Sequence, residues 1–297
     1  MAPFSRDDIS TRLAGTGYIA DGELATALSV MQLLGRPLLL EGEAGVGKTE
    51  VAKALASVFA TELIRLQCYE GLDQSAALYE WNYQRQLLAI EAHRAPSGRE
   101  RSAAEIEDQI FSEKYLLERP LLSAIRRAKP PVLLIDEVDR ADEEFEAFLL
   151  ELLSDWQVSI PEFGVLKAVS IPHVVLTSNG TRELSDALRR RCLYHYLDFP
   201  DVEREARIVM ARIPGAGAAL ALQIARMVER IRKEELRKAP GIAETLDWAA
   251  ALVGLEVSDL HADPEIVHET LMCLLKTRED KSRMTREVTG RLLGKVA

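Results

Sequence analysis

The stretch "RPLLLEGEAGVGKTEVAKALASVFA", residues 36–60, decides how the rest of the chain is read. It opens with an apolar run, "RPLLLEG" (36–42), that reads as a buried strand running into glycine. It ends in "GKTEVAKALASVFA" (47–60), where Val51, Leu55, Val58 and Phe59 share one face of a helix. Between them, "GEAGVGKT" (42–49) has the G-x-x-x-x-G-K-T spacing of a phosphate-cradling loop, in the strand–loop–helix setting that the motif requires. The glycines let the backbone curl so that its N–H groups point at phosphate oxygens, and the helix N-terminus adds a favourable dipole. Lys48 supplies a point charge for the β- and γ-phosphates, and Thr49 offers a hydroxyl to Mg²⁺. A glycine turn before a helix has a similar local look, but the flanking strand and helix favour the phosphate loop.

Further along the chain, "VLLIDEVDR" (132–140) ends a buried apolar strand in two carboxylates. At the carboxyl end of a parallel strand such groups face a ligand crevice. Asp136 is placed to hold Mg²⁺ and Glu137 to orient and polarise an attacking water. Taken alone, the pair would also suit an acidic helix start. "HVVLTSN" (173–179) is a further buried strand, ending in Asn179, whose amide suits holding the lytic water or sensing a γ-phosphate. Asn179-Gly180 is equally a turn signal, and both readings can hold at once.

"DALRRRCLYHYL" (186–197) sets Arg189, Arg190 and Arg191 side by side in a chain of net charge −10. An arginine finger stabilising charge on a γ-phosphate held by a neighbouring copy is one use for them. A solvated cluster, or pairing with Asp201, Glu203 and Glu205, is another.

The other elements alternate. Helices are expected over 5–14 and 21–34, a strand over 62–68, partly helical structure in 77–92, a helix over 112–128, and a helix over 142–156 with Phe145, Phe148, Leu149, Leu152 and Leu153 on one face. Residues 93–105 read as an exposed, mobile loop, 157–171 as a β-hairpin about "EFG", and 193–199 as the last strand. From 202 to 293 only helical periodicity remains. The expected fold is therefore an α/β domain, a parallel sheet between helices, followed by an all-helical lid. The boundary is expected near Pro200, giving 1–200 and 201–297.

Composition narrows the function. Apolar residues at 47% and charged residues at 28% suit a globular protein, and no apolar run nears the ~20 residues needed to span a bilayer. The N-terminus lacks the pattern of a secretory signal, so a cytoplasmic location is expected, with peripheral membrane attachment left open. Cys68, Cys192 and Cys273 lack metal-ligand spacing and read as reduced thiols. The acidic balance argues against a broad nucleic-acid surface, and no nucleic-acid partner is expected.

The order of phosphate loop, acidic strand end, strand-terminal Asn, arginine cluster and helical lid resembles AAA+ ATPases over nearly the whole chain. Within them, "LEGEAGVGKTEVAKALA", "LLIDEVDRADEEFEAFLLELLSDWQVSIPE" and "VVLTSN" resemble the MoxR group. "RLQCYEGLDQSAALYEWNYQRQLL", "FSEKYLLERPLLSAIRR" and "RRRCLYHYLDFP" are similar to its CoxD-like members. The resemblance implies an ATP- and Mg²⁺-dependent, chaperone-like motor that hydrolyses ATP and assembles into a ring, a hexamer in expectation. It implies a partner with a von Willebrand factor A domain and a molybdenum hydroxylase client such as carbon monoxide dehydrogenase. A DNA-acting AAA+ motor or loader is the alternative.

By the same resemblance, Gly42, Glu43, Ala44, Gly45, Val46, Gly47, Lys48, Thr49 and Glu50 bind the nucleotide, and Tyr18 and Ile19 contact adenine. Thr49 and Asp136 hold Mg²⁺, Glu137 activates water, and Asn179 is the first sensor. Finger duty falls on Arg191, with Arg190 and Arg189 as candidates. A helix-2 insertion falls within about 69–111, and it and the 157–171 hairpin would face the ring pore. Two departures stand out. Ala44 occupies a position where proline is common, and "KAPGIAETLDWA" (238–249) has no arginine where a second sensor is usual, leaving Arg237 or Lys238 as substitutes.

Overall fold

The computed structural model describes residues 4–93 and 103–294. Of the loop expected over 93–105, residues 94–102 lie outside the described residues, and the helix Ala103–Ile110 takes up its end.

Among the described residues the strands are β1 (Leu38–Glu41), β2 (Leu63–Gln67), β3 (Tyr79–Trp81), β4 (Leu116–Glu118), β5 (Val132–Asp136), β6 (Gln157–Ile160), β7 (Gly164–Lys167), β8 (His173–Ser178) and β9 (Leu193–Tyr196). Five of them form one sheet in the order β2-β5-β8-β1-β9. The β2–β5 and β5–β8 pairings are parallel, with Gln67 in register with Asp136 and Ile135 with Leu176. β5 is buried at every position, as a strand covered on both faces must be. The expected class, a parallel sheet with helices followed by a helical region, is the one found.

The chain forms two compact units. The first comprises 27–40 and the described part of 55–195. Its core is built by Leu133, Ile135, Leu176, Phe145, Leu149, Leu152 and their neighbours. The second comprises 4–26, 41–54 and 196–294 and has its own core around Val209, Ile224, Val228, Trp248 and Leu252. It contains the phosphate-loop segment together with the C-terminal helices.

Two local expectations need correcting. Residues 112–128 are not one helix: β4 pairs antiparallel with β3, and the helix begins at Pro120, where the missing N–H costs nothing. In the helix Glu143–Asp155, Phe148 is 40% exposed, whereas Glu146 is 1% exposed. Glu146 is taken inside because Arg182 donates to it at 2.5 Å and the Ser185 N–H donates at 2.9 Å. The hairpin over 157–171 is present as β6–β7, paired from Gln157–Lys167 to Ile160–Gly164.

Candidate nucleotide site

The phosphate loop is built by close approach. A Cβ at Gly42 would lie 2.2 Å from the Leu197 carbonyl oxygen, so only glycine fits where β1 gives way to the loop. Gly45 has φ +87, a conformation that side chains disfavour. Lys48, 7% exposed, begins the helix Lys48–Val58 and folds back over the loop, donating to the carbonyls of Gly42 at 2.7 Å and Glu43 at 2.8 Å. An ammonium group buried against carbonyls is a cation held ready where the motif expects phosphate. Thr49 and Glu50 follow in the first turn, half-buried, with Glu50 paired to Lys53.

Tyr18 and Ile19 belong to the same unit. Arg204, on the helix Val202–Arg212, donates from Nε to the Ile19 carbonyl at 3.0 Å and pairs with Asp21 at 2.5 Å. Burial pushes the Tyr18 phenol well above its ordinary pKa.

In the first unit, a carboxylate cluster lies at the ends of β2, β5 and β8. Asp136 is 3% exposed. The Thr177 hydroxyl donates to its Oδ1 at 2.5 Å and accepts from the Glu137 N–H at 2.8 Å. Arg65 donates to Asp136 Oδ2 at 2.6 Å. Glu137 adopts φ 55, ψ 50, a left-handed conformation that costs a non-glycine residue on the order of 1–2 kcal/mol. That backbone aims its side chain back across the strand ends, where Oε2 accepts from Gln67 Nε2 and Arg140 Nη1, each at 3.1 Å. The Asp136 and Glu137 carboxylates are oxygen donors of the kind that suits a hard cation, and in its place Arg65 holds Asp136 here. The residues present therefore fit both groups that the motifs imply, a nucleoside phosphate and Mg²⁺.

Asp139 organises the loop after β8. It accepts from the N–H groups of Asn179 at 3.2 Å and Thr181 at 2.9 Å, and from the Thr181 hydroxyl at 2.6 Å. Burial acts to raise its pKa, but those donors outweigh it and hold the carboxyl below the ordinary value. Asn179 is thus fixed through its backbone directly after β8, which lies between β5 and β1 in the sheet.

The three arginines differ. Arg191 donates to the Ser154 hydroxyl and to the Ala187 carbonyl, capping its own helix Asp186–Arg191. Arg189 lies 3.7 Å from Glu183 and 5.8 Å from the Tyr194 ring centroid. Arg190 is exposed. Of the acids weighed as partners, Glu205 is taken by Arg232 at 2.6 Å, and Asp201 caps its own helix through the Arg204 N–H.

Arg65, Gln67, Arg140 and Asp139 were not singled out from sequence. A signal existed for the first two: "LIRLQ" alternates polar and apolar residues, so Arg65 and Gln67 share one exposed face of β2.

Residues 37–192, more than half of the chain, match the AAA domain of the dynein-related subfamily. The gas vesicle ATPase GvpN of Haloferax mediterranei is 24% identical over 274 residues, covering 88% of this chain and 75% of that protein. An uncharacterized protein of Staphylococcus aureus is 27% identical over 175 residues, 57% of each chain. Among solved structures, the Thermotoga maritima RuvB Holliday junction branch migration motor aligns with 87% of this chain and 69% of its own, at 19% identity and a TM-score of 0.41. Taken with the phosphate loop, the sheet order and the acidic end of β5, the match places the chain in the dynein-related subfamily of AAA domains, a family of nucleotide-binding, nucleotide-hydrolysing ATPases that generally form rings.

Proposed function

We propose that the chain is a Mg-ATP-hydrolysing, chaperone-like remodeller of the MoxR type that assists maturation or metal-centre assembly of a molybdenum hydroxylase such as carbon monoxide dehydrogenase. The observation that carries the motor is a lysine seated inside its own phosphate loop, and the buried Asp136 and backbone-strained Glu137 at the end of β5 support it. The client rests on the resemblance of residues 65–88, 111–127 and 189–200 to CoxD-like proteins.

In this reading 1–200 form the ATP-binding core and 201–297 the lid. Residues Gly42 to Glu50 cradle the phosphates, and Tyr18 and Ile19 lie against adenine. Thr49 and Asp136 hold Mg²⁺, which when bound neutralises charge on the phosphates. Glu137 orients the attacking water, released from Gln67 and Arg140 as it turns to do so. Asn179 positions the same water or reads the γ-phosphate. One of Arg189, Arg190 and Arg191 reaches the nucleotide of a neighbouring copy in a ring, a hexamer in this reading. A protein with a von Willebrand factor A domain couples the ring to its client.

The test is co-expression with a molybdenum hydroxylase and its von Willebrand-type partner, reading metal content and activity of the purified client. Glu137→Gln should leave the client folded but short of its metal centre. A fully loaded client would refute the maturation role, and salt-dependent duplex DNA binding would instead favour a DNA-acting motor.

A further inference from the structure

Where the resemblance puts a second, nucleotide-sensing arginine, this chain has Pro240-Gly241-Ile242 leading into the helix Ile242–Gly254. Here main chain meets main chain. The Ile242 N–H donates to the Gly45 carbonyl of the phosphate loop at 2.8 Å. A Cβ on Gly241 would lie 2.7 Å from Gly45 Cα, and one on Gly45 would lie 2.8 Å from Gly241 Cα. Both crossing residues are glycine because nothing larger fits.

The turn is held from behind. Arg232 donates from Nε to the Pro240 carbonyl at 2.8 Å, is paired with Glu205 through two bonds of 2.6 and 2.7 Å, and stacks over Phe199 at 4.3 Å. Thr245 donates to the same Glu205 at 2.8 Å, and the Glu244 carboxylate accepts from the Gly241 N–H at 3.1 Å. The substitutes read from sequence are anchored through their backbone. Arg237 and Lys238 both donate their N–H groups to the buried Asp280, and the Arg237 guanidinium lies 3.8 Å from Glu279.

We propose that the Ile242 N–H is a positioning group of the phosphate loop, and that this backbone contact replaces the missing arginine in tying the lid to bound nucleotide. The proposal rests on the reading of 42–49 as a nucleoside-phosphate site. Its physical basis is the planar trans peptide between Gly45 and Val46. With the carbonyl held toward Ile242, the Val46 N–H of the same plane must point the opposite way, away from the lid turn. Fixing the acceptor end thus fixes the donor end before any ligand arrives, and a preorganised donor binds with less loss of conformational entropy. Nucleotide and lid then influence each other through one peptide plane.

Ile242→Pro tests this, because it deletes that one N–H. Ile242 is the first residue of its helix, where proline is favoured, and Gly241 at φ −84, ψ −179 has the extended conformation that precedes proline. The full chain and its variants are titrated with a fluorescent ADP analogue, and the thermal midpoint of each nucleotide-free protein is recorded. The loss is read against Ile242→Val, which keeps the N–H and trims one methyl. We expect Ile242→Pro to bind ADP roughly five- to tenfold more weakly than Ile242→Val, as for one lost hydrogen bond. If the nucleotide-free midpoint of Ile242→Pro falls by more than a few degrees, Gly241→Ala is read in its place, and the same weakening is expected as its Cβ forces the turn off Gly45. Affinity equal to the control in the variant that is read overturns the inference while leaving the nucleotide site intact. A wild-type chain that does not bind ADP at all fails the underlying reading instead.

Discussion

Arg232 offers a sharp test of how the helical unit is held together. Its side chain is 9% exposed and that of Glu205 is 1% exposed, and two hydrogen bonds of 2.6 and 2.7 Å join them. Arg232→Met keeps much of the volume but leaves Glu205 buried without its counter-ion. Breaking a buried pair in this way costs about 3–5 kcal/mol, and losing the bond to the Pro240 carbonyl adds about 1 kcal/mol. For a unit of this size that lowers the thermal midpoint by on the order of 10 °C. Adding Glu205→Met should recover most of the loss, because removing both charges removes the desolvation penalty, and Thr245 retains its second bond to the Gly241 carbonyl. The assay is urea unfolding followed by Trp248, fully buried and bonded to Thr270, in a background where Trp81 and Trp156 are phenylalanine. A loss below about 1 kcal/mol in Arg232→Met would rule out a buried, tightly coupled pair, because a measured loss so small belongs to exposed pairs. So would a double variant no more stable than the single one.

Further outcomes concern the first unit. Arg190→Ala should abolish ATP turnover at unchanged nucleotide affinity if the exposed arginine is the finger, whereas Arg191→Ala should also lower stability by about 1 kcal/mol, because Arg191 bonds Ser154 and Ala187; thermal shift and phosphate release separate the two. Asp139, whose pKa is held below 3.8, contributes stability that is fully present above about pH 4 and is lost as pH falls through its lower folded value. Asp139→Asn should therefore flatten the acid limb of an unfolding curve below pH 4, and an unchanged limb would count against the Thr181 bonds as its cause. Arg65→Met should remove a cation that competes for Asp136, so half-saturation of nucleotide binding should need several-fold less Mg²⁺; an increased requirement would contradict that role.

The strands and the phosphate loop were legible because they are encoded locally. Apolar runs mark β1, β5 and β8, and the glycine spacing at 42–49 serves a local backbone shape. Glu137 was placed correctly at the strand end, but its left-handed backbone has no sequence signature. Residues 112–128 misled because "LLERPLL" has helical spacing, whereas pairing with β3 makes its first half extended. Phe148 lies outside the core and Glu146 inside it because hydrophobicity alone cannot anticipate that Arg182, 36 positions away, supplies a buried counter-charge. The Gly45–Gly241 crossing joins residues nearly two hundred positions apart. A Pro-Gly before a helix announces a turn, not what the turn touches.

In the function proposed above, this chain hydrolyses ATP with Glu137 as the residue that activates water. The direct test is phosphate release by the wild type and by Glu137→Gln, paired with ATP affinity for both proteins. Turnover in the wild type, with at least a hundredfold loss in Glu137→Gln at similar ATP affinity, is the predicted result, on the order of that expected when a catalytic base is removed. Undiminished turnover in Glu137→Gln would contradict the assignment.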